Sequence, residues 1–288
     1  MKFLILGASG MAGHVISIYL QEQGYDVTGF ARKKLSFVNT IVGDAFDLNF
    51  LKGVITVGNY DVIVNAIGIL NQQAEEKKDD AVFLNGYLPH YLATITKSMK
   101  TQIIHISTDC VFSGEKGNYT EKSLRDGEKF YDRSKAIGEL EDNKNLTLRT
   151  SIIGPDINYN GVGLLNWFMK QDKVVEGYVH AIWTGQTTLQ LAKTIEEAAK
   201  NHICGLYNMV PNKSISKYDL LKFFNFYLRK NSLEIIPSDN IVINKSLKRT
   251  KFDFKYDIPS YDKMILELSE WIFKHKTMYP HYKTLFYK

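Results

Sequence analysis

The chain has 288 residues, 44% of them hydrophobic and 23% charged, with a formal net charge of +5. That composition suits one large α/β domain with an appended lobe and excludes wholesale disorder. No stretch approaches the roughly 18 uncharged apolar residues of a membrane span, and the chain enters a strand pattern at Phe3 without signal-peptide features, so a cytoplasmic protein with no membrane contact is expected.

The first 150 residues alternate strand-like and helix-like segments. Lys2–Leu6 is a short apolar run that ends at glycine, and Val15, Ile18 and Tyr19 then recur at helical spacing. Tyr25–Phe30 reads as a second strand. Tyr60–Ile67 reads as another, buried on both faces because Val62, Ile63 and Val64 are consecutive. A single helix is expected over 80–99, with Val82, Leu88, Leu92 and Ile95 on its core face. Gln102–Ser107 is the next strand, 131–142 the next helix, and Leu146–Arg149 a further strand. This alternation implies a Rossmann-type, doubly wound parallel sheet in an α/β fold.

Beyond residue 150 the pattern changes to helices at 164–171, 187–201, 216–230 and 260–275, with short strands between. No linker or internal repeat intervenes, so residues 156–288 are expected to form a smaller, partly interleaved lobe that grips substrate. Residues 1–155 form the dinucleotide-binding domain, and some later segments return to it. Residues 241–288 hold ten Lys/Arg and five Asp/Glu, which accounts for the whole net charge. A solvated surface is the simpler reading of that excess, and attraction of an anionic substrate is the functional one. The cations are scattered singly and no nucleic-acid motif accompanies them, so no nucleic-acid partner is expected. Cys110 and Cys204 form neither a CxxC pair nor a metal spacing, which fits free thiols in a reducing compartment and no metal site.

The strongest local signal is Gly7-Ala8-Ser9-Gly10-Met11-Ala12-Gly13, between the first strand and the first helix. Glycines there let the backbone turn and approach a pyrophosphate, and the helix N-terminus favours its charge. Gly7, Ser9, Gly10, Met11 and Gly13 are the candidate contacts. At the end of the second strand no carboxylate is present to favour NAD. Arg32, Lys33 and Lys34 stand there instead, and a guanidinium pairs bidentately with a 2′-phosphate. NADP is therefore favoured, with Arg32 as its clamp, and NAD stays open. Asn65-Ala66-Ile67-Gly68 ends a buried strand and is placed to line the cofactor ribose. Asn85, polar among apolar residues, needs partners, which gives it a structural or an active-site role, and it is a further cofactor-side candidate.

Tyr131-Asp132-Arg133-Ser134-Lys135 places a tyrosine and a lysine at i and i+4 on one helical face. A nearby ammonium favours the phenolate and draws the tyrosine pKa down from about 10 towards the working range. Ser107 and Thr108 follow the Gln102–Ser107 strand, at the end where parallel sheets bind ligands, and either hydroxyl suits the orientation of a carbonyl.

Together, Gly7–Gly13, Asn65–Gly68, Ser107–Phe112, Tyr131–Lys135 and Leu148-Arg149-Thr150-Ser151 resemble the extended short-chain dehydrogenases/reductases, and most of all the dTDP-4-dehydrorhamnose reductase group. Asn85–Ala93 is similar to that group's N-x-x-x-P-x-x-L-A segment, and Asp109–Gly114 to its D-Y-V-F-x-G, with Cys110 in place of the tyrosine. The resemblance implies an NADPH-dependent reductase of a nucleotide-linked 4-keto-6-deoxy sugar, in deoxysugar or cell-surface polysaccharide biosynthesis. It assigns proton donation to Tyr131, the nicotinamide ribose and the tyrosine pKa to Lys135, the catalytic hydroxyl to Thr108 and adenine contact to Asp44. Thr108, Asp109, Cys110, Val111, Tyr131 and Thr150 form the expected substrate side, with Cys110 as a pocket wall. Trp167, Trp183 and Thr184 are further candidates. A UDP-linked N-acetyl keto-sugar reductase or an epimerase on the same scaffold is one alternative. A non-catalytic subunit resembling the methionine adenosyltransferase regulatory subunit is another. Some members of the group dimerise, so a homodimer is compatible.

Overall fold

The computed structural model describes residues 1–282. A seven-stranded sheet forms its centre, in the spatial order Gly205–Asn208, Leu146–Arg149, Gln102–Ser107, Val62–Asn65, Lys2–Leu6, Asp26–Ala31, Asn39–Val42. Every neighbouring pair is parallel. Parallel pairing needs crossovers that cover both faces, and the first strand shows the consequence. Phe3 and Ile5 enter one core cluster with Val15, Ile16, Leu191 and Ile195, while Leu4 and Leu6 enter another with Leu51, Ile55, Leu88 and Leu92. Each such side chain, removed from water, contributes about 1.5–3 kcal/mol.

The chain beyond residue 155 does not stay apart from the sheet. The helix Thr188–Lys200 packs beside the helix Met11–Glu22, where Glu196 accepts hydrogen bonds from Tyr19 (2.7 Å) and Tyr25 (3.0 Å). Gly205–Asn208 supplies the edge strand beside Leu146–Arg149. The remaining lobe is built from short pairings. Val174–Tyr178 lies beside Glu234–Ser238, and Ala181–Trp183 lies between Ile215–Ser216 and Ile243–Asn244. The helices Lys217–Arg229 and Tyr261–Lys274 complete it.

One expected helix is broken. Lys78–Ala81 is α-helical, Val82–Tyr87 forms a π-helical turn, and Leu88–Ile95 resumes the α-helix and ends four residues short of the expected 99. A π-turn inserts an extra residue and rotates the helical turns beyond it. Leu88 and Leu92 are therefore fully buried, whereas Val82, expected on the same face, is 49% exposed. No described helix is long and apolar enough to cross a membrane.

Candidate functional site

Strand order reverses between Lys2–Leu6 and Val62–Asn65, which opens a crevice at their carboxyl ends. The glycine-rich loop lies there. Gly7 has φ +80°, a left-handed conformation open to glycine. A Cβ on Gly13 would stand 2.1 Å from the Gly7 carbonyl oxygen, so the first helix turn can sit against the loop only with glycine at that position. The helix Met11–Glu22 starts from Gly10 with no side-chain cap and no acidic residue in its first turn. An uncapped N-terminus beside a bare glycine backbone fits a pyrophosphate. Ser9 and Gly10 are exposed and Met11 is half-buried at the mouth of this cradle.

The neighbouring strand ends close the crevice. The Phe30 carbonyl accepts hydrogen bonds from Gly7 N (3.1 Å) and Ala8 N (3.3 Å), which brings exposed Arg32 near the loop. The Ala66 carbonyl would lie 3.0 Å from a Cβ on Gly7, so Ala66, Ile67 and Gly68 border the same cradle. Exposed Asp44 accepts from Phe46 N (3.1 Å) and shapes its own turn. Two expected cofactor-side residues are hydrogen-bonded within the protein. Both amide hydrogens of buried Asn85 are taken, by the Ile69 carbonyl (2.9 Å) and Ser134 Oγ (3.0 Å), and its oxygen accepts from Ile69 N (2.9 Å). Asn85 thus ties the 67–70 loop to the helix Phe130–Ile137. Asn65 is fully buried, its Oδ1 accepting from Ile67 N (3.2 Å) and its Nδ2 lying 3.2 Å from His105 Nδ1.

The catalytic candidates come together one strand away. Thr108 caps a short 3-10 turn, accepting from Cys110 N (3.1 Å) and donating to Asp109 Oδ1 (3.2 Å). Ser107 serves a different partner, its hydroxyl donating to the buried Glu139 Oε1 at 2.7 Å. Tyr131 is buried. Burial raises its pKa above the ordinary phenol value, the neighbouring Cys110 and Asp109 add to that, and a hydrogen bond with Thr108 opposes it. Glu75 accepts from the backbone N–H groups of Phe130 (2.8 Å) and Tyr131 (3.3 Å) and fixes the start of the tyrosine's helix. Glu75 and Tyr131, with Asn71, Gln72 and Lys129, line a cavity of about 450 Å³. A larger cavity, about 840 Å³, opens between the starts of the helices Lys217–Arg229 and Tyr261–Lys274 and touches none of Thr108, Tyr131 and Lys135.

Lys135 differs from expectation. Its ammonium donates to the Ile106 carbonyl at 2.8 Å and lies 3.4 Å from His105 Nε2. Burial pulls its pKa down to about 8, against the pull of Glu139. The expected depression of the tyrosine pKa is absent from this arrangement, because burial dominates the phenol and the lysine is engaged on the strand behind it.

Sequence reasoning did not find the charges that hold this wall. Glu139 and Arg149 are fully buried partners, with Arg149 Nε and Nη2 at 2.8 and 2.6 Å from the two carboxylate oxygens. Burial would raise the Glu139 pKa, and hydrogen bonds from Arg149, Ser107 and Arg125 outweigh it and hold the carboxyl below its ordinary value. From the second lobe, half-buried Lys217 lies over the Trp183 ring (4.8 Å) and faces Asp109. Lys245 faces Asp109 as well and stands 3.9 Å from Asp132. The basic excess in the C-terminal residues was the one signal that pointed towards Lys245.

Other expectations resolve differently. Val111 is enclosed with Phe112, Tyr119, Val210 and Leu247, so it supports the turn instead of facing substrate. Thr150 is buried and donates to the Ser151 carbonyl (3.0 Å), and Thr184 Oγ1 accepts from Leu247 N (2.8 Å). Trp183 is buried and Trp167 is 41% exposed. Cys110 is half-buried, and burial, with help from Asp109, pushes its thiol up to about 12, which suits a wall and not a nucleophile. Among the described residues no three His, Cys, Asp or Glu side chains are grouped to hold a metal.

Residues 1–253 match the family model described as the RmlD substrate binding domain. The spore coat polysaccharide biosynthesis protein SpsK of Bacillus subtilis is 31% identical over 143 residues. That match spans 48% of this chain and about half the length of SpsK, 47%. A dTDP-4-dehydrorhamnose reductase of Aggregatibacter actinomycetemcomitans is 26% identical over 255 residues, 84% of each chain. The crystal structure of dTDP-4-dehydrorhamnose reductase from Bacillus anthracis in complex with NADP superposes with a TM-score of 0.78 at 20% identity, covering 93% of this chain and 98% of that one.

Proposed function

The chain belongs to the RmlD substrate binding domain family, the dTDP-4-dehydrorhamnose reductase-like branch of the extended short-chain dehydrogenases/reductases, and on that premise we propose that it is an NADPH-dependent reductase of a nucleotide-linked 4-keto-6-deoxy sugar. The observation that carries this reading is the convergence of Thr108 and Tyr131 on one buried site, with Lys135 behind them and a dinucleotide cradle across the adjacent strand. A reduced nicotinamide held there supplies the hydride.

The chain's own groups do the rest. Thr108, with its hydroxyl proton turned from Asp109 Oδ1 to the substrate, orients the keto oxygen, and Tyr131 donates its proton to the oxygen as negative charge develops on it. A phenol held well above its ordinary pKa is fully protonated at neutral pH, which is the state a proton donor needs. Lys135 is the candidate for the nicotinamide ribose, and its own value of about 8 keeps it largely charged at pH 7. Arg32 supports NADP over NAD through its position beside the cradle. Lys217 and Lys245 reach the catalytic wall from the second lobe, where two cations suit the diphosphate of a sugar nucleotide. Free Cys110 and Cys204 are in keeping with a cytoplasmic enzyme. The name of SpsK supports a place in cell-surface polysaccharide synthesis.

The test is absorbance at 340 nm with NADPH and NADH separately, against dTDP- and UDP-linked 4-keto-6-deoxy sugars. NADPH oxidation with one of these sugars is expected. Measured NADPH binding without turnover on any of them would move the reading to a non-catalytic subunit.

A further inference from the structure

His105 occupies a place that the proposed chemistry does not use. It is fully buried on the strand Gln102–Ser107, between Asn65 and Lys135. Burial, then the charge of Lys135, then His90 push its pKa well below the ordinary histidine value, so the ring is neutral and carries one N–H. Hydrogen accounting then restricts its neighbours. Asn65 Oδ1 accepts from Ile67 N (3.2 Å), which turns Asn65 Nδ2 towards His105 Nδ1. Nδ1 must accept, so the ring proton sits on Nε2 and points at Lys135 Nζ. A neutral amine accepts that proton, but an ammonium does not. Nζ lies 2.8 Å from the Ile106 carbonyl and 3.4 Å from Nε2, within reach of either tautomer. The other arrangement reverses every bond. With the proton on Nδ1, Nε2 accepts from the ammonium, the Asn65 amide turns over so that Oδ1 accepts from Nδ1, and Ile67 N loses its partner.

We propose that His105 is a positioning residue for Lys135, whose ring tautomer couples the proton on that lysine to the Asn65–Ile67 bond of the cofactor-side loop. A charged Lys135 selects the Nδ1–H ring and frees Ile67 N, and a neutral Lys135 selects the Nε2–H ring and holds it. The titratable groups facing the pair are Glu139 towards Lys135 and His90 towards His105. The inference rests on the reading of Lys135 as the working lysine, but its first readout needs no cofactor or substrate. A failed reductase assay therefore leaves it standing, and its own failure leaves the reductase standing.

Nitrogen NMR of the histidine rings in the ligand-free protein distinguishes protonated from unprotonated ring nitrogens. Between about pH 6.5 and 9.5, on either side of the lysine's titration, the His105 signal is expected to pass from the Nδ1–H to the Nε2–H pattern, and to keep the Nε2–H pattern throughout in Lys135→Met. In folded His105→Leu the ammonium loses an acceptor, and the alkaline limb of kcat/KM moves to lower pH by about one unit. A single His105 tautomer across the range in the wild type, or an alkaline limb unmoved in folded His105→Leu, overturns the proposal.

Discussion

The loop Gly7–Gly13 and the wall formed by Ser107–Cys110, Tyr131–Glu139 and Arg149 lie at the same end of the sheet, but they are held in different ways. The loop is held by backbone: a left-handed Gly7, a Gly13 with no room for a Cβ, and hydrogen bonds to the Phe30 carbonyl. The wall is held by buried side-chain charge: Glu139 against Arg149, Lys135 against the Ile106 carbonyl, and Asp109 facing Lys217 and Lys245. A backbone site presents fixed dipoles to a ligand common to many enzymes. A site made from side chains can tune proton affinities, which acid–base chemistry requires. The two should therefore fail differently when altered.

The largest expected effect is on chemistry alone. Tyr131→Phe removes the proposed proton donor with little change in volume, and kcat is expected to fall about 10²- to 10⁴-fold in the NADPH oxidation assay. Next is the wall's stability. Glu139→Gln leaves Arg149 buried without its counter-charge, an expected loss of about 3–5 kcal/mol in urea unfolding at pH 7. The sign with pH comes from the depressed Glu139 pKa. Its stabilisation is present above the ordinary glutamate value of 4.5 and is lost as pH falls through the lower folded value. The gap between wild type and Glu139→Gln should narrow in acid, and a gap independent of pH would detach the effect from this carboxylate.

These two regions were also unequally legible in the sequence. Gly7 and Gly13 announce themselves because one residue type meets a backbone demand and lies where a strand meets a helix. Tyr131 and Lys135 show because their spacing is local. His105 and Glu139 stayed hidden because their partners come from other elements: Asn65 is 40 residues from His105, and Ser107 is 32 from Glu139. Lys217 faces Asp109 only after the second lobe has folded back. The apolar periodicity gave the sheet and Leu88 and Leu92 correctly, but it carried no sign of the π-turn that turned Val82 outward. Asn85 was visible as an oddity. That its amide ties a loop to Ser134 needed coordinates.

Smaller effects sharpen the contrast. Gly13→Ala pushes a methyl group towards the Gly7 carbonyl, an overpacking cost of about 1–3 kcal/mol. NADPH affinity by fluorescence titration should weaken roughly 5- to 150-fold, with kcat at saturating NADPH nearly unchanged. Lys217→Met should have the mildest effect, raising the sugar-nucleotide KM about fivefold at pH 7, as for the loss of a partly screened charge. Burial lowers the Lys217 pKa to about 8, so the wild-type advantage should vanish as pH rises past that value.

The claim that loop and wall are separable is tested most directly by titrating Tyr131→Phe with NADPH. The account predicts a Kd within about threefold of wild type beside the large loss of turnover, because the phenol belongs to the wall and the dinucleotide to the loop. A Kd that weakens in proportion to kcat would contradict it and make Tyr131 part of the cofactor cradle.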